Sequence, residues 1–216
     1  HASYPTKPYS FHHILRLSLL TYKKLETEIG IDIHWGGSFE WHALKENQKI
    51  LTQEIEIQQG YGVPIQMISG EQAHELEPNV QFDKEARMAF SESDGAVDSN
   101  EVVNKFLKKT INLGGQVLYP VTYENVIVKE GQIVAVRTSI GEIEANQVVF
   151  ACGVDTDNLL SINSITPPKP GVIVRTIPTE KRLNKIIVGP GVHVHQQLDG
   201  RIIFGEQAGA PSSHLE

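Results

Sequence analysis

Apolar residues recur at three- and four-residue spacing at Phe11, Ile14, Leu15, Tyr22, Leu25 and Ile29, which predicts an amphipathic helix with Pro8 and Ser10 at its start and Gly30 as its cap. The period then shortens. Residues 31–35 alternate, Gly36-Gly37 turns the chain, and Ser38–Trp41 reads as a second short strand. Residues 46–59 are polar with Ile50, Leu51, Ile55 and Ile57 on a helical spacing, and Gly60, Gly62 and Pro64 end that helix. A short helix over 70–76 stops before Pro78, and its acidic residues from Glu71 to Glu77 read as a solvated face.

Asp98 and Glu101 stand at capping-box spacing before a helix carrying Val102, Val103, Phe106, Leu107 and Ile111, with Gly114 just past its end. A strand is expected at 116–121. A three-stranded meander follows, with 125–128, 133–138 and Ile143 separated by turns at Glu130-Gly131 and Gly141. The apolar run 147–151, ending in Cys152-Gly153, has the pattern of a buried strand in a parallel sheet. The remainder is β-like. Candidate strands lie at 171–176, 186–188 and 192–196, and Asp199-Gly200 turns the chain into a returning strand at 201–204.

At 216 residues, 40% hydrophobic and 21% charged, the chain is long and apolar enough for one large domain or two small interwoven ones. The net charge of −7, without a basic stripe, argues against a nucleic-acid partner. Cys152 is the only cysteine, which excludes an intrachain disulfide framework and makes a reducing, cytoplasmic setting the expectation. No apolar run approaches the roughly 20 residues of a membrane-spanning helix.

Three stretches in this order carry a resemblance to a known family. They are Asp94-Gly95-Ala96-Val97-Asp98 with its helix and the segment 114–121; the segment 141–153; and Asp199-Gly200-Arg201-Ile202-Ile203-Phe204-Gly205. Together the chain resembles the FAD-dependent oxidoreductases that include D-amino acid oxidase, glycine oxidase and sarcosine oxidase. The resemblance implies an α+β / α/β fold: part of a Rossmann-like FAD-binding domain interleaved with a mostly antiparallel substrate-domain sheet. It implies a helix at the domain junction over 1–30, substrate domain over 31–93, FAD domain over 94–160 and substrate domain again over 161–216. It also implies FAD as cofactor, an amino acid or amine as substrate, oxygen or another electron acceptor, and an oligomer as one option. The family's G-x-G-x-x-G turn, which holds the pyrophosphate at a helix N-terminus, is not in the sequence. The expectation is therefore an internal piece of a longer enzyme that by itself binds FAD weakly or not at all. The alternatives are a flavin-dependent dehydrogenase of a hydroxy acid or polyol, and a non-catalytic domain that keeps the fold without its cofactor.

The resemblance places cofactor contacts at Val121, through backbone groups against the adenine, and at Ala151, Cys152 and Gly153, where small residues let backbone approach the flavin. The plain readings are a β-branched strand residue, a turn glycine and a small packing cysteine. His193 and His195, two apart on a strand, face one side. The resemblance puts His193 near an active-site tyrosine of glycine oxidase, so the catalytic candidates are His193 and His195; without a third ligand no metal site is expected. His12 and His13 point apart on their helix, and His1 lies where the family brings backbone close to the flavin. Trp35 and Trp41 read as core or pocket residues, Arg175 as a surface cation, and Glu206 as a residue near the active site without an assigned role.

Overall fold

The structure, a computed structural model, describes residues 9–42, 44–161 and 172–206. The chain forms two compact units, one from His1–Phe106 with Lys169–Glu216, the other from Leu107–Pro168.

The first unit opens with α1 (Tyr9–Ile29), β1 (Ile33–Trp35), β2 (Ser38–Trp41) and α2 (Lys45–Gly60). It continues with β3 (Ile65–Ser69), α3 (Gly70–Leu76), β4 (Arg87–Ser91), β5 (Gly95–Val97) and the start of α4 (Ser99–Asn112). The second unit holds β6 (Tyr123–Lys129), β7 (Gln132–Thr138), β8 (Gly141–Glu144), a 3-10 turn at Gly153–Asp155 and α5 (Thr156–Leu160). The chain then returns to the first unit with β9 (Ile173–Arg175), β10 (Ile186–Gly189), β11 (Val192–Gln196) and β12 (Ile202–Glu206).

Among the described residues, seven strands form the central sheet in the order β3-β4-β2-β10-β11-β12-β9. Every neighbouring pair is antiparallel except β2 with β10. This is the mostly antiparallel sheet that the resemblance implies. Separate small sheets pair β1 with β5 and β6 with β7 and β8.

Register decides which residues share a face, because paired residues of neighbouring strands point the same way. On one face Phe39, Ile68, Met88 and Phe90 pack with Ala73 of α3. On the other, Leu51 and Ile55 of α2 cover Val63, Ile65 and Ala89. Each fully buried Phe or Leu contributes about 1.5–3 kcal/mol. Leu51, Ile55 and Gln58 form the stripe of α2 that the β3–β4 half of the sheet buries, while Ile50 and Ile57, which share the helical spacing in the sequence, stay exposed.

Side chains close the loops around this sheet. Gln196 is 2% exposed. Its Oε1 accepts from the backbone N–H groups of Arg182 and Leu183 at 2.7 and 3.0 Å, and its Nε2 donates to the carbonyls of Glu180 and Gly200 at 2.9 Å each. Glu77 is fully buried, and its Oε2 accepts from the N–H groups of Asn184 and Lys185. This overturns the expectation that the stretch from Glu71 to Glu77 is a solvated face. Glu71 and Glu75 are exposed, but Glu77 lies past the end of α3 and turns inward to satisfy the loop ahead of β10. Ser38 donates to Asp94 Oδ2 at 2.6 Å, and Gly37 N–H donates to the Asp94 carbonyl, tying β2 to the segment that leads into β5.

Two helix starts differ from the sequence reading in detail. Asp98 caps α4 as expected, its Oδ1 accepting from Asn100 and Glu101 N–H. The Glu101 carboxylate instead accepts from Asp32 N–H at 3.4 Å. The reciprocal capping box is at Ser69 and Gln72, at the start of α3.

The segments 116–121 and 147–151 are not strands in the structure. A strand exists only with a ladder partner, and among the described residues neither segment has one. Val117, Leu118, Tyr119 and Val149 are accordingly exposed.

Candidate functional site

His193 and His195 lie on β11 with their rings stacked, centroids 6.3 Å apart and planes within 9°. The strand period places them on one face, and their partners make the stacking possible. His193 pairs with Gly205 of β12 and His195 with Ile203. A Cβ at Gly205 would fall inside the His193 ring, so only glycine lets the imidazole lie flat on the neighbouring strand.

Burial lowers the pKa of His193 below the usual histidine value. His195 is lowered by burial first, then by the like charges that His193 and His34 would carry. Both imidazoles are therefore neutral at neutral pH, each with one nitrogen free to accept a hydrogen bond or proton. His34 was not singled out from the sequence. It lies on β1, and its Nδ1 is 3.0 Å from the Gln196 carbonyl, 162 positions away, a contact that no local pattern announces.

These shifts carry a pH dependence. Below the ordinary histidine value of about 6.5 the unfolded chain binds protons more readily than the folded one. The stability of the neutral pair is complete above about pH 6.5 and is lost as pH falls through the lowered folded value. The thermal midpoint is expected to drop between pH 7 and pH 5, and a H193N/H195N variant to flatten that drop. An equal drop in the variant would assign it to other groups.

The remaining sequence candidates are distributed as follows. Val121 is half-buried, two residues before Tyr123. The Tyr123 ring meets Phe150 edge to face at 5.1 Å, which brings 147–151 beside the start of β6. Ala151, Cys152 and Gly153 are exposed. The reading of Cys152 as a buried packing residue is corrected: the thiol is exposed, because the run before it has no neighbouring strand among the described residues, and its N–H donates to Thr156 Oγ1 at 3.1 Å. Gly153 has φ +59°, and a Cβ there would meet nothing within 4 Å. Small exposed residues that leave the backbone approachable fit a cofactor lying against the main chain. His193 and His195 are in the first unit, and these four residues in the second.

Trp35 donates to both carboxylate oxygens of Glu26 of α1, and Trp41 lies on Gly189 beside the Phe39 cluster, so both serve packing. His12 is buried and His13 exposed, as their adjacency on a helix requires. Arg175 is exposed on β9. His1 and the side chain of Glu206 lie outside the described residues. Among the described residues no cluster of His, Cys, Asp and Glu is placed to hold a metal, and no helix is long and apolar enough to cross a membrane.

A cavity of about 500 Å³ lies elsewhere, lined by Asp32, Asp98, Glu101, Gln197, Leu198 and Asp199 among others. Three of its acids already have structural tasks. Asp98 caps α4, Glu101 holds Asp32, and Asp199 pairs with Arg201, whose backbone N–H and guanidinium keep its carboxyl below the usual range.

The fold and the sequence together define the class. Residues 1–215 match the family of FAD dependent oxidoreductases typified by D-amino acid oxidase, and the chain belongs to that family. The bifunctional protein ThiO/ThiG of Synechocystis sp. is 28% identical over 116 residues, covering 52% of this chain and 18% of the relative. That of Trichormus variabilis is 26% identical over 168 residues, covering 72% and 26%. Among solved structures, L-proline dehydrogenase from P. horikoshii superposes with a TM-score of 0.86 at 22% identity, over 96% of this chain and 57% of that one. Glycine oxidase from Bacillus cereus superposes at 0.79 and 19%, over 94% and 57%. L-amino acid deaminase from Proteus vulgaris superposes at 0.78 and 19%, over 95% and 50%. The chain thus spans 18% and 26% of the two curated relatives and at most 57% of these three solved chains.

Proposed function

We propose that the protein carrying this chain oxidises a C–N bond of an amino acid or secondary amine, with FAD as hydride acceptor. The observation that carries the reading is the stacked, neutral His193–His195 pair on the central sheet of a chain that belongs to this flavin family. The names of the solved relatives support it, since proline, glycine and other amino acids are the substrates those names state.

When bound, FAD supplies the redox chemistry by accepting a hydride from the carbon next to the nitrogen. The residues of this chain have two tasks. The backbone at Val121 and at Ala151, Cys152 and Gly153 would hold the cofactor, and a Cβ at Gly153 would meet nothing within 4 Å. His193, with His195 stacked behind it, faces the substrate. An ammonium group must lose a proton before its neighbouring C–H bond can be broken as hydride, and a neutral imidazole is a suitable acceptor for that proton. Residues 94–160 would form part of the FAD domain, and 31–93 with 161–216 the substrate domain.

The test is the visible spectrum of the intact protein, recorded anaerobically before and after a panel of amino acids and amines. Flavin bands that bleach with an amino acid or amine are the expected result. A colourless protein that takes up no added FAD would overturn the proposal. Bleaching by hydroxy acids alone would reassign the substrate.

A further inference from the structure

Three neighbouring strands at one end of the central sheet set a cation at a fixed distance from the histidine pair. His193 of β11 pairs with Gly205 of β12, and Gly205 with Ile173 of β9. One row along, His195 pairs with Ile203, and Ile203 with Arg175. Paired residues project from one face, so all six share it. Gly205 and Ile203 form a floor, with the imidazoles of β11 on one side and Ile173 and Arg175 of β9 on the other. The floor is low at Gly205, where the His193 ring lies over the strand, and apolar at Ile203, which is 6% exposed.

A cation on an edge strand needs no role beyond discouraging another strand from pairing there. Arg175 differs in what surrounds it. Among the described residues it is party to no hydrogen bond or salt bridge, and the carboxylate that feels its charge, Asp199, is held by Arg201. Glu40 projects from the same face but stands beyond Val188 on β2, four strands from β9. The exposed guanidinium is thus available, and its planar fork of N–H donors matches a carboxylate.

The spacing decides which carboxylate. Arg175 is one strand across and two residues along from Gly205, a Cα separation of about 8 Å. Its charge acts on Asp199, in the turn ahead of β12 and at the opposite end of that strand from Gly205. The oxygens of a carboxylate on the reacting carbon lie only about 2.4 Å from it, whereas those at the end of a two-methylene side chain lie about 5 Å away. The longer arm crosses the apolar Ile203 with its methylene groups and brings its charge to Arg175.

We infer that Arg175 receives a carboxylate at the far end of the substrate, so that amino acids with an acidic side chain are preferred, while His193 faces the reacting end. This rests on the oxidoreductase reading above and deepens it, naming the substrate class and a specificity-determining residue.

The experiment uses the intact flavoprotein and two matched pairs, glutamate with glutamine and aspartate with asparagine, each as both enantiomers. Within a pair the length and the α-carboxylate are the same, and only the charge at the far end differs. The wild-type flavin is expected to be bleached by an acidic member at a lower KM than by its amide. R175Q is expected to raise KM for that acid about 10- to 100-fold, the range for losing one charge-assisted hydrogen-bonded contact, with a smaller change in kcat. KM for the amide and the flavin content are expected to stay unchanged. R175K, which keeps the charge but loses the fork, is expected to fall between. Equal weakening of acid and amide would overturn the inference by moving Arg175 to the α-carboxylate, and no weakening of either would leave it a surface cation. If R175Q does not retain flavin, the same comparison is made with R175K, where equal shifts within a pair overturn the inference as well. A wild-type flavin bleached by other amino acids or amines but by neither acidic one overturns this inference alone. A wild-type flavin that no amino acid or amine bleaches overturns the oxidoreductase reading and this inference with it.

Discussion

Replacing Gly36 with alanine is expected to destabilise the protein by about 3–5 kcal/mol, the upper range of single-substitution effects. A Cβ at Gly36 would collide with the backbone carbonyl of Asn184. Neither side can yield cheaply. Asn184 N–H is held by the buried Glu77 carboxylate, and Ile186 N–H is held by the Gly37 carbonyl at 2.9 Å. Backbone meets backbone at the parallel β2–β10 seam of the central sheet, so the clash forces β10 away from β2. Urea denaturation should show a lower midpoint with an unchanged slope. The same substitution at Gly60 is the control. Gly60 ends α2, a Cβ there meets nothing within 4 Å, and alanine is the better helix former, so G60A is expected to be neutral or slightly stabilising. If G36A and G60A behave alike, the seam is not the tight junction described above.

Replacing Gly205 with alanine is expected to lower kcat/KM for the amine substrate about 100-fold while leaving the fold intact. The new methyl group would occupy the space of the His193 ring. The imidazole, unlike the Asn184 backbone, can rotate away. The cost therefore appears as a misplaced side chain rather than as unfolding, and misplacement by about 1 Å is enough for a loss of that order. H193A should lose a similar amount, and the G205A/H193A double variant should be no worse than either single one, because both remove the same group. Multiplicative losses would show that Gly205 acts independently of His193. Full activity in G205A would remove His193 from the substrate side altogether.

Much of the fold is legible along the chain. The helices α1, α2 and α4 follow from apolar periodicity bounded by glycine and proline. The hairpins at Glu130-Gly131 and Asp199-Gly200 follow from turn chemistry, and positive φ at Glu130, Gly131 and Gly200 is the conformation such turns demand. Three strands were not legible. β3, β4 and β5 lie between polar, turn-rich stretches, and Ile65–Ser69, Arg87–Ser91 and Gly95–Val97 are too short for two-residue alternation to stand out. What makes them strands is the pairing of β3 and β4 beside β2, and of β5 with β1. The opposite error occurred at 116–121 and 147–151, where the β pattern is strong but no partner stands beside it among the described residues.

The same division runs through the site. The sequence by itself determined that His193 and His195 share one side of a strand, since a period of two leaves no other choice, and that Asp98 caps a helix. It determined the family as well, through an ordered set of short segments. The tertiary structure alone decided that Gly205 lies beneath the His193 ring, that Glu77 and Gln196 satisfy the loop between β9 and β10, and that Glu40 falls in register with the histidines. The physical reason is one of range. Helix faces, caps and turns are set by neighbours within about four residues, whereas strand register joins residues more than a hundred positions apart, and only the packed sheet specifies which of them meet.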